Sequence, residues 1–335
     1  MADHVTVVML AWGEEPLLAE AVSAALASTV DVDVIVVDNG SPSVDAVRGT
    51  DGVTVLSPGR NLGFAGGCNL GASQASGDVV VFVNSDAVVA PTALAALAEA
   101  LVGDVALVSG SLRLRARPDV INSAGNPVHY SGLSWAGGLG APASDFTEGR
   151  AIASASGGLC AMTASRFAEI GGFSEPMFAY LEDADLSLRC WLRGWSVGYV
   201  PTAVATHHYE FGRNASKLYL LERNRLFMVL TVWPTRLLLA LAPALLGLEL
   251  LMCLVALRDG WLRRKLAGWA WLWRHGREVV ARRREVQAAA VISPSEFAAL
   301  LTPEFSPGES VGLAVPHPAR AVSRMYWRLV RPRRG

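Results

Sequence analysis

The chain has 335 residues, of which 52% are hydrophobic and only 18% are charged. It holds 9 basic and 22 acidic residues up to Glu210, but 20 basic and 8 acidic residues from Phe211 onward, so the formal charge of −1 hides two parts of opposite sign. There is no compact Lys/Arg block with interleaved aromatic residues and no CxxC spacing, which argues against nucleic-acid binding, a zinc knuckle or a redox dithiol.

The first 110 residues alternate between predicted strands and helices. Apolar runs predict strands at residues 4–11, 32–40, 53–56, 78–84 and 105–110. Helical patterns run from Pro16 to Leu26, through the glycine-rich stretch after Arg60 to Ala75, and onward from Pro91. This alternation predicts an α/β fold with a mostly parallel sheet flanked by helices, in which ligands bind at the carboxyl ends of the strands. The start of the chain reads as a first strand and not as a signal peptide, which predicts a cytoplasmic catalytic part.

The pattern weakens in the middle of the chain. Residues 111–155 are rich in Gly, Ser, Ala and Pro and are interpreted as loops and short strands near the substrate. A short helix is predicted at RFAEIGGF, and a returning strand at GWSVGYVP, residues 194–201, with VATHHYEF after it.

Several polar residues follow predicted strands, where a ligand would lie. Asp38 could hydrogen-bond a nucleobase or a ribose hydroxyl, or be a turn residue. Asp86 could hold a divalent cation carrying diphosphate oxygens, and His207 could be a second ligand or an ordinary core or surface histidine. The glycines after Arg60 could bring backbone N–H groups to a diphosphate or form a plain turn, while the absence of GxGxxG spacing argues against a dinucleotide site.

The stretch YLEDADLSLRCWLRGW, residues 180–195, places Glu182, Asp183 and Asp185 within four positions. Acidic residues favour the first turn of a helix, and the apolar residues behind them follow helical spacing. A capped, half-buried helix would explain the pattern without any catalytic function. The alternative is a carboxylate that acts as a base.

Together these stretches resemble the glycosyltransferase family 2 pattern of the GT-A fold, over roughly residues 4–225. VVDNGS is similar to the family's nucleotide-binding segment, RNLGFAGGCN to its donor loop, VNSDA to its metal motif and IGGFSEPMFAYLEDADLSLRCWLRGW to its acceptor-side motif, while KLYLLERNR is typical of rhamnosyltransferase-like members. The resemblance implies an inverting transfer of sugar from a nucleoside-diphosphate sugar to an acceptor hydroxyl, with Mg²⁺ or Mn²⁺ as cofactor.

The resemblance also implies roles for individual residues. Asp183 is the catalytic base, Glu182 shapes the site, and Asp185 ties down the helix. We expect Asp86 and His207 to be metal ligands. Arg223 and Arg225 are candidate contacts of the diphosphate or the acceptor. The expected donor-nucleotide contacts are Trp12, Asp38, Asn39, Arg60, Asn61, Gly63, Asn69, Asn84 and Asp86.

Two motifs depart from the family pattern. The usual DxD is here Asn84-Ser85-Asp86, which lacks one anionic ligand. The common GGFDE reads GGFSE at residues 171–175, which affects the acceptor contacts. QxxRW, the signature of processive polysaccharide synthases, does not occur, which favours the addition of a single sugar.

The last third of the chain is apolar and basic. Residues 237–257 are apolar except for Pro243, Gly247 and Glu249, and could span a bilayer, bend into a hairpin, lie in the membrane plane or form a buried hairpin of a soluble protein. Nine basic residues follow between Arg258 and Arg284, among several tryptophans, which favours a hairpin or in-plane attachment with both ends cytoplasmic. The predicted organisation is a catalytic domain at 1–225, membrane-associated helices at 226–290, and a proline-containing linker with a basic tail at 291–335.

The sequence thus predicts a glycosyltransferase at the cytoplasmic face of the cell membrane. Its expected donor is a UDP- or dTDP-linked sugar such as a deoxyhexose like rhamnose, and its expected acceptor is a lipid-linked or cell-envelope glycan. Two alternatives stay open: a nucleotide-sugar-binding regulator without turnover, in view of the weakened metal motif, and a nucleotidyltransferase, disfavoured because no basic phosphate-activating loop follows the first strand.

Overall fold

The computed structural model describes residues 4–208, 216–305 and 317–332, which divide into two compact units. The N-terminal unit comprises Met1–Asn126, Ala136–Cys190 and Trp195–Phe211, and the C-terminal unit comprises Pro127–Trp135, Trp191–Gly194 and Gly212–Gly335. The boundary expected at residue 225 therefore falls inside the C-terminal unit.

Twelve strands lie in the described part of the chain, ten of them in one sheet. They are β1 (His4–Ala11), β2 (Asp31–Asp38), β3 (Val53–Leu56), β4 (Val79–Val83), β5 (Ala87–Val89), β6 (Val105–Leu114), β7 (Arg117–Ser123), β8 (Val128–His129), β9 (Arg150–Ala151), β10 (Leu159–Thr163), β11 (Ser196–His207) and β12 (Leu301–Thr302). The strands β8 and β12 form a separate parallel pair in the C-terminal unit.

The sheet of the N-terminal unit has the order β3-β2-β1-β4-β10-β6-β11-β5, with β7 beside β6 and β9 beside β11. The pairs β2–β3, β1–β2, β1–β4 and β6–β11 are parallel, whereas β10 is antiparallel to both of its neighbours. Six strands therefore point in one direction, which confirms the predicted mostly parallel sheet. Their carboxyl ends share one edge, where ligands of α/β proteins bind.

Eleven helices lie in the described residues. They are α1 (Leu18–Leu26), α2 (Gly63–Ser73), α3 (Ala93–Glu99), α4 (Ala164–Glu169), α5 (Glu182–Leu192), α6 (Lys217–Val232), α7 (Thr235–Arg258), α8 (Leu262–Arg274), α9 (Gly276–Ala288), α10 (Pro294–Ala299) and α11 (His317–Val330).

Valine dominates the central strands because a β-branched side chain packs well on a pleated surface. All five residues of β4 are buried, as expected for a strand covered on both faces. The inner faces of the strands and the apolar sides of α1 and α3 together form the core of this unit.

Three predicted segments differ from the structure. The region interpreted as loops and short strands does contain short strands, but β6, predicted to end at residue 110, extends into it to Leu114, and β7 pairs with that extension. The returning strand runs on to His207, so this histidine ends β11 and does not follow it. The expected linker at 291–335 contains α10, β12 and α11, whereas residues 306–316 lie outside the described part.

Candidate active site

The shared edge of the sheet gathers most of the predicted site residues. Parallel pairing places Asp38, the last residue of β2, opposite Ala11 at the end of β1, and Trp12 follows with 41% of its surface exposed. The turn Asn84-Ser85-Asp86 leaves β4, and His207 pairs with Ala87 where β11 meets β5. The sheet therefore brings Asp86 and His207 together from distant parts of the sequence.

Asp86 and His207 form the candidate metal site. The Asp86 Oδ1 atom lies 3.0 Å from His207 Nε2, and the amide nitrogen of Asn84 lies 3.2 Å from the same ring nitrogen. A carboxylate oxygen and an imidazole nitrogen side by side suit a divalent cation. Within the described residues no group of three His, Cys, Asp or Glu side chains is placed to bind a metal, so the other ligands would come from the diphosphate and water.

The other ring nitrogen of His207 contacts a residue that the sequence did not reveal. Nδ1 lies 2.8 Å from Oδ1 of Asn122, on β7, and both side chains are buried. With Asn122 as acceptor, Nδ1 carries a proton, and a lone pair on Nε2 would then be available to a cation held between Nε2 and Asp86. Asn122 thus fixes the orientation of the His207 ring. No motif marks it, because it lies in the stretch without a clear pattern.

The side chain of Asn39 holds the glycine-rich loop in place through hydrogen bonds to its backbone. The amide of Asn39 donates to the Gly63 carbonyl (2.9 Å) and accepts from the Leu62 N–H (3.1 Å), while Asn61 Oδ1 accepts from the Gly63 N–H (2.8 Å). Gly63 has φ = +71°, and a Cβ atom there would lie 2.4 Å from the Phe178 carbonyl oxygen, so only glycine fits. Asn39 is buried and acts by shaping this loop.

Three other predicted donor-contact residues, Asp38, Arg60 and Asn69, lie in environments that differ from one another. Partial burial of Asp38 acts to raise the pKa of its carboxyl, but hydrogen bonds from the Ser41 and Gly40 N–H groups and from Ser57 together outweigh it and hold the pKa below its usual value. Arg60 is exposed. The Asn69 amide is bonded to both backbone groups of Phe173 and to Glu175, so it connects α2 to the GGFSE loop.

The acidic stretch starts α5, as predicted. Asp183 Oδ2 accepts from the Gly157 N–H (3.0 Å) and Oδ1 accepts from the Ala184 N–H (2.7 Å). Burial raises the pKa of Asp183, and these N–H groups oppose the rise because they stabilise its anion. The carboxylate is fixed in position by these two contacts, and the residue as a whole is half-buried.

Glu182 and Asp185, its acidic neighbours, have different environments. Glu182 is 6% exposed and its Oε2 has no hydrogen-bond partner among the described residues; burial and then the Asp183 charge raise its pKa well above the usual range. Asp185 is buried and paired with Arg189 at 2.8 Å, whose guanidinium also donates to the Ile170 and Gly172 carbonyls. The expected role of Asp185 in tying down the helix agrees with these contacts.

Residues 157 and 158 connect the start of α5 to the turn that bears Asp86 of the candidate metal site. The Gly157 N–H binds Asp183, and the next residue, Gly158, accepts from the Asn84 N–H at 3.1 Å. One short backbone segment therefore fixes the distance between Asp183 and the Asn84-Ser85-Asp86 turn. The sequence offered only a weak signal for it, a pair of glycines before β10.

The backbone just before α5 is strained. Phe178, Tyr180 and Leu181 all have φ between +65° and +72°, which residues with a Cβ rarely adopt. Phe178 has ψ = −64° and forms a γ-turn, closed by the Ala179 N–H on the Met177 carbonyl at 2.8 Å. The Phe178 carbonyl also accepts from the Ala65 N–H near the start of α2. Such strain often occurs at functional sites.

Arg223 and Arg225 belong to α6 in the C-terminal unit. Arg225 is 1% exposed and bonded to Glu222, Glu249 and the Ser131 carbonyl. Arg223 is 6% exposed and lies over the Trp271 ring. The candidate contacts of these two arginines with the diphosphate or the acceptor stay predictions.

The comparisons with known proteins agree with this geometry. Residues 6–161 match the family model described as Glycosyl transferase family 2. The chain is 29% identical over 240 residues to the N-acetylglucosaminyl-diphospho-decaprenol L-rhamnosyltransferase of Mycobacterium tuberculosis, an alignment covering 62% of this chain and 77% of the relative.

Two solved structures share the fold. A crystal structure of GalNAc-T7 with UDP, GalNAc and Mn²⁺ has a TM-score of 0.55 at 18% identity, over 68% of this chain and about half (48%) of that one. Mannosyltransferase PcManGT from Pyrobaculum calidifontis, in complex with GDP-Man and Mn²⁺, has a TM-score of 0.50 at 20% identity, over 97% and 84% of the two chains. Residues 6–161 therefore match glycosyltransferase family 2, and the chain shares the GT-A fold with these two glycosyltransferases.

Proposed function

We propose that the protein transfers a single sugar, with inversion, from a nucleoside-diphosphate sugar to a lipid-linked glycan acceptor. The observation that carries this proposal is the Asp183 carboxylate, fixed by the Gly157 and Ala184 N–H groups and connected through Gly158 to the turn that bears Asp86. A rigid carboxylate base and a site for a diphosphate at one sheet edge are what such a transfer requires.

The proposed step is a single displacement. The acceptor oxygen bonds to the anomeric carbon as its hydroxyl proton passes to Asp183, and the bond from that carbon to the diphosphate oxygen breaks. Because attack and departure occur on opposite faces of the sugar, the configuration inverts. Asp86 and His207 would hold Mg²⁺ or Mn²⁺, which when bound neutralises charge on the departing diphosphate.

The first two of the three acidic residues at the start of α5 have different roles in this proposal. Two backbone N–H groups stabilise the charge on Asp183, whereas Glu182 is buried beside that charge with one unpartnered oxygen. The arrangement favours a proton on Glu182 and a negative charge on Asp183. Glu182 then shapes the pocket as a neutral acid and leaves Asp183 to act as the base.

The choice of donor and acceptor rests on relatives and on the sheet edge. The mycobacterial relative is named a rhamnosyltransferase acting on N-acetylglucosaminyl-diphospho-decaprenol, which supports a deoxyhexose donor and a polyprenyl-diphosphate acceptor. Asp38 ends β2 and Trp12 directly follows the adjacent strand β1, and both suit contacts with a pyrimidine base, so we favour UDP- or dTDP-linked sugars.

A lipid-linked acceptor lies in a membrane, so the proposed transfer takes place at the membrane surface. We place the protein at the cytoplasmic face of that membrane, where nucleotide sugars are found. One described helix, α7, is long and apolar enough to cross a membrane by length and composition, with a mean hydropathy of 2.4 over its most apolar window. Asn84 stands where the usual DxD motif has its first aspartate. The missing carboxylate supports one alternative, a regulator that binds nucleotide sugars without turnover.

The test incubates the purified protein with a polyprenyl-diphosphate-linked N-acetylglucosamine and a panel of UDP-, dTDP- and GDP-sugars. We expect nucleoside-diphosphate release and a singly glycosylated lipid by mass spectrometry, with one donor strongly preferred. Tight donor binding by calorimetry without any release would support the regulator instead. A product carrying several added sugars would contradict single transfer.

A further inference from the structure

The helix α7 presents a continuous apolar stripe that no other described residue covers. Five leucines at intervals of three, four or seven residues are each 65–69% exposed: Leu239, Leu246, Leu250, Leu254 and Leu257. At 3.6 residues per turn these positions share one face along most of the helix. Soluble surfaces rarely expose so many large apolar side chains in one row.

The opposite face of α7 is fixed within the C-terminal unit. Leu237, Leu241 and Ala256 are fully buried there. Glu249, near the middle of the helix, accepts from Lys265 (2.9 Å) and from the Trp269 indole (2.9 Å), both on α8, and pairs with Arg225. Lys265 also binds Glu222 at 2.6 Å. This charged cluster holds α7 along the side of the unit.

Two further helices expose apolar faces next to basic residues. On α8, Leu266 and Trp273 are 44% and 84% exposed, and Arg263, Arg264 and Arg274 of the same helix are also exposed. On α11, Val322, Met325 and Leu329 are 60–77% exposed and share one face. The helix α11 is attached to α7 by the Tyr326 hydroxyl on the Ala240 carbonyl (2.6 Å), and Trp327 stacks on Tyr130 with ring centroids 5.2 Å apart.

We propose that α7, α8 and α11 form a docking surface for an anionic lipid bilayer, with α7 lying in the plane of one leaflet and not crossing it. Apolar side chains bordered by arginines, with an exposed tryptophan, match the boundary between acyl chains and negative headgroups. The proposal rests on the function proposed above only for its purpose, because it explains how the protein reaches a lipid-linked acceptor.

Charge favours an in-plane bilayer over two other arrangements, a second copy of the chain on the same surface and a bilayer that α7 crosses. A second copy of the chain on the same surface would bring like-charged arginines together, which disfavours a symmetric dimer. A helix crossing the bilayer would carry Glu249 and its partners Lys265 and Arg225 to the middle of the acyl region, where charged groups are unfavourable. An in-plane helix keeps this cluster on the protein side.

The first experiment is flotation of the full-length protein with vesicles of phosphatidylcholine alone or with 30% phosphatidylglycerol, about a third as in anionic membranes. We expect binding to the anionic vesicles that weakens in high salt. Replacing Leu246, Leu250 and Leu254 with Ser should lower the affinity on the order of 1000-fold, at about tenfold for each inserted leucine. Replacing Arg263, Arg264 and Arg274 with Gln should lower it on the order of 100-fold, at about fivefold for each.

The matched control is Val102→Ser, which removes a 65% exposed apolar side chain from the N-terminal unit and should leave flotation unchanged. Circular dichroism checks that each variant is folded. Glycosyl transfer to a water-soluble acceptor analogue should be the same for the leucine variant and the parent. A failure of the docking proposal is thereby separated from a failure of the proposed function.

The second experiment measures depth. Spin labels are placed singly at Leu239, Leu246 and Leu254 in a Cys253→Ser background, since the other three cysteines are buried. Similar shallow depths at all three positions, from oxygen and nickel-chelate accessibility, would support the in-plane helix. A deep Leu246 label with a shallow Leu239 label would show a crossing. Labels that become buried with protein concentration and not with lipid would show a dimer, and either result overturns the proposal.

Discussion

Replacing Asp183 with Asn tests the proposed base directly. The substitution removes the proton acceptor at nearly constant side-chain volume. It is not neutral for the fold, because both carboxylate oxygens accept from backbone N–H groups, one from Gly157 and one from Ala184. An asparagine can satisfy only one of them, and its NH₂ group must face the other.

The two effects have different magnitudes. Loss of a general base costs on the order of 10²–10⁴-fold in rate, or about 3–5 kcal/mol in the barrier. The backbone N–H group that faces the NH₂ group of the new asparagine costs about 1–3 kcal/mol of stability. Removing the negative charge beside buried Glu182 offsets part of that cost. Since typical domains unfold at about 5–15 kcal/mol, the variant should stay folded and inactive.

The assay compares kcat, donor Kd and thermal unfolding for Asp183→Asn and for Asp185→Asn. Asp185 lies in the same turn and is bonded to Arg189. Its substitution should therefore lower stability but reduce kcat much less. Donor binding should survive in both variants, because Asp183 serves the acceptor. Near-native kcat in folded Asp183→Asn would refute the assignment, and so would an equal loss of kcat in both variants.

Four further outcomes follow from the same geometry. Asp38→Ala should weaken UDP or dTDP binding in calorimetry, and a preference of the parent protein for a purine nucleotide would contradict the base assignment. Excess chelator and Asp86→Ala should each abolish most of the activity, and full turnover in chelator would exclude the metal role. Asn122→Leu leaves His207 Nδ1–H without its acceptor and should weaken Mn²⁺ binding on the order of 10–100-fold by electron paramagnetic resonance, whereas Asn122→Asp should retain it; equal affinity in Asn122→Leu would refute this role. Burial raises the pKa of Glu182 in the folded state, so the fold loses stability as the pH rises above the pKa of this carboxyl in the unfolded chain. Glu182→Gln should therefore be more thermally stable than the parent at pH 8 but not at pH 4. Identical pH profiles for the two proteins would contradict the buried neutral acid.

The strands of the parallel half could be predicted because their physics is local. A valine-rich run bounded by turn residues has one stable arrangement in a covered sheet, and residues 4–11 and 53–56 form strands with the predicted bounds. The positions of Asp38 and Asp86 follow from the same logic, since carboxyl ends of parallel strands meet at one edge.

The contacts that complete the site could not be predicted in this way. Asn122 touches His207 across 85 positions of sequence, through the pairing of β7 with β6 and of β6 with β11. Neither residue type nor spacing encodes such a meeting. The buried cluster around Glu249 was missed for a related reason: a lone glutamate in an apolar helix shows that a partner exists but does not identify Lys265, 16 positions away, or Arg225, 24 positions before it.

The strained turn before α5 shows how the same sequence segment serves both fold and chemistry. Each left-handed residue with a Cβ costs on the order of 1–3 kcal/mol, and three occur within the four residues 178–181. They persist because both sides of the turn are fixed: the Phe178 carbonyl is held by Ala65, and Asp185 at the other end is locked to Arg189. A relaxed loop of the same length would start α5 at a different place and lose the 3.0 Å contact between Asp183 and Gly157. The strain is therefore what positions Asp183, the proposed base, against the backbone segment that also supports the Asn84-Ser85-Asp86 turn.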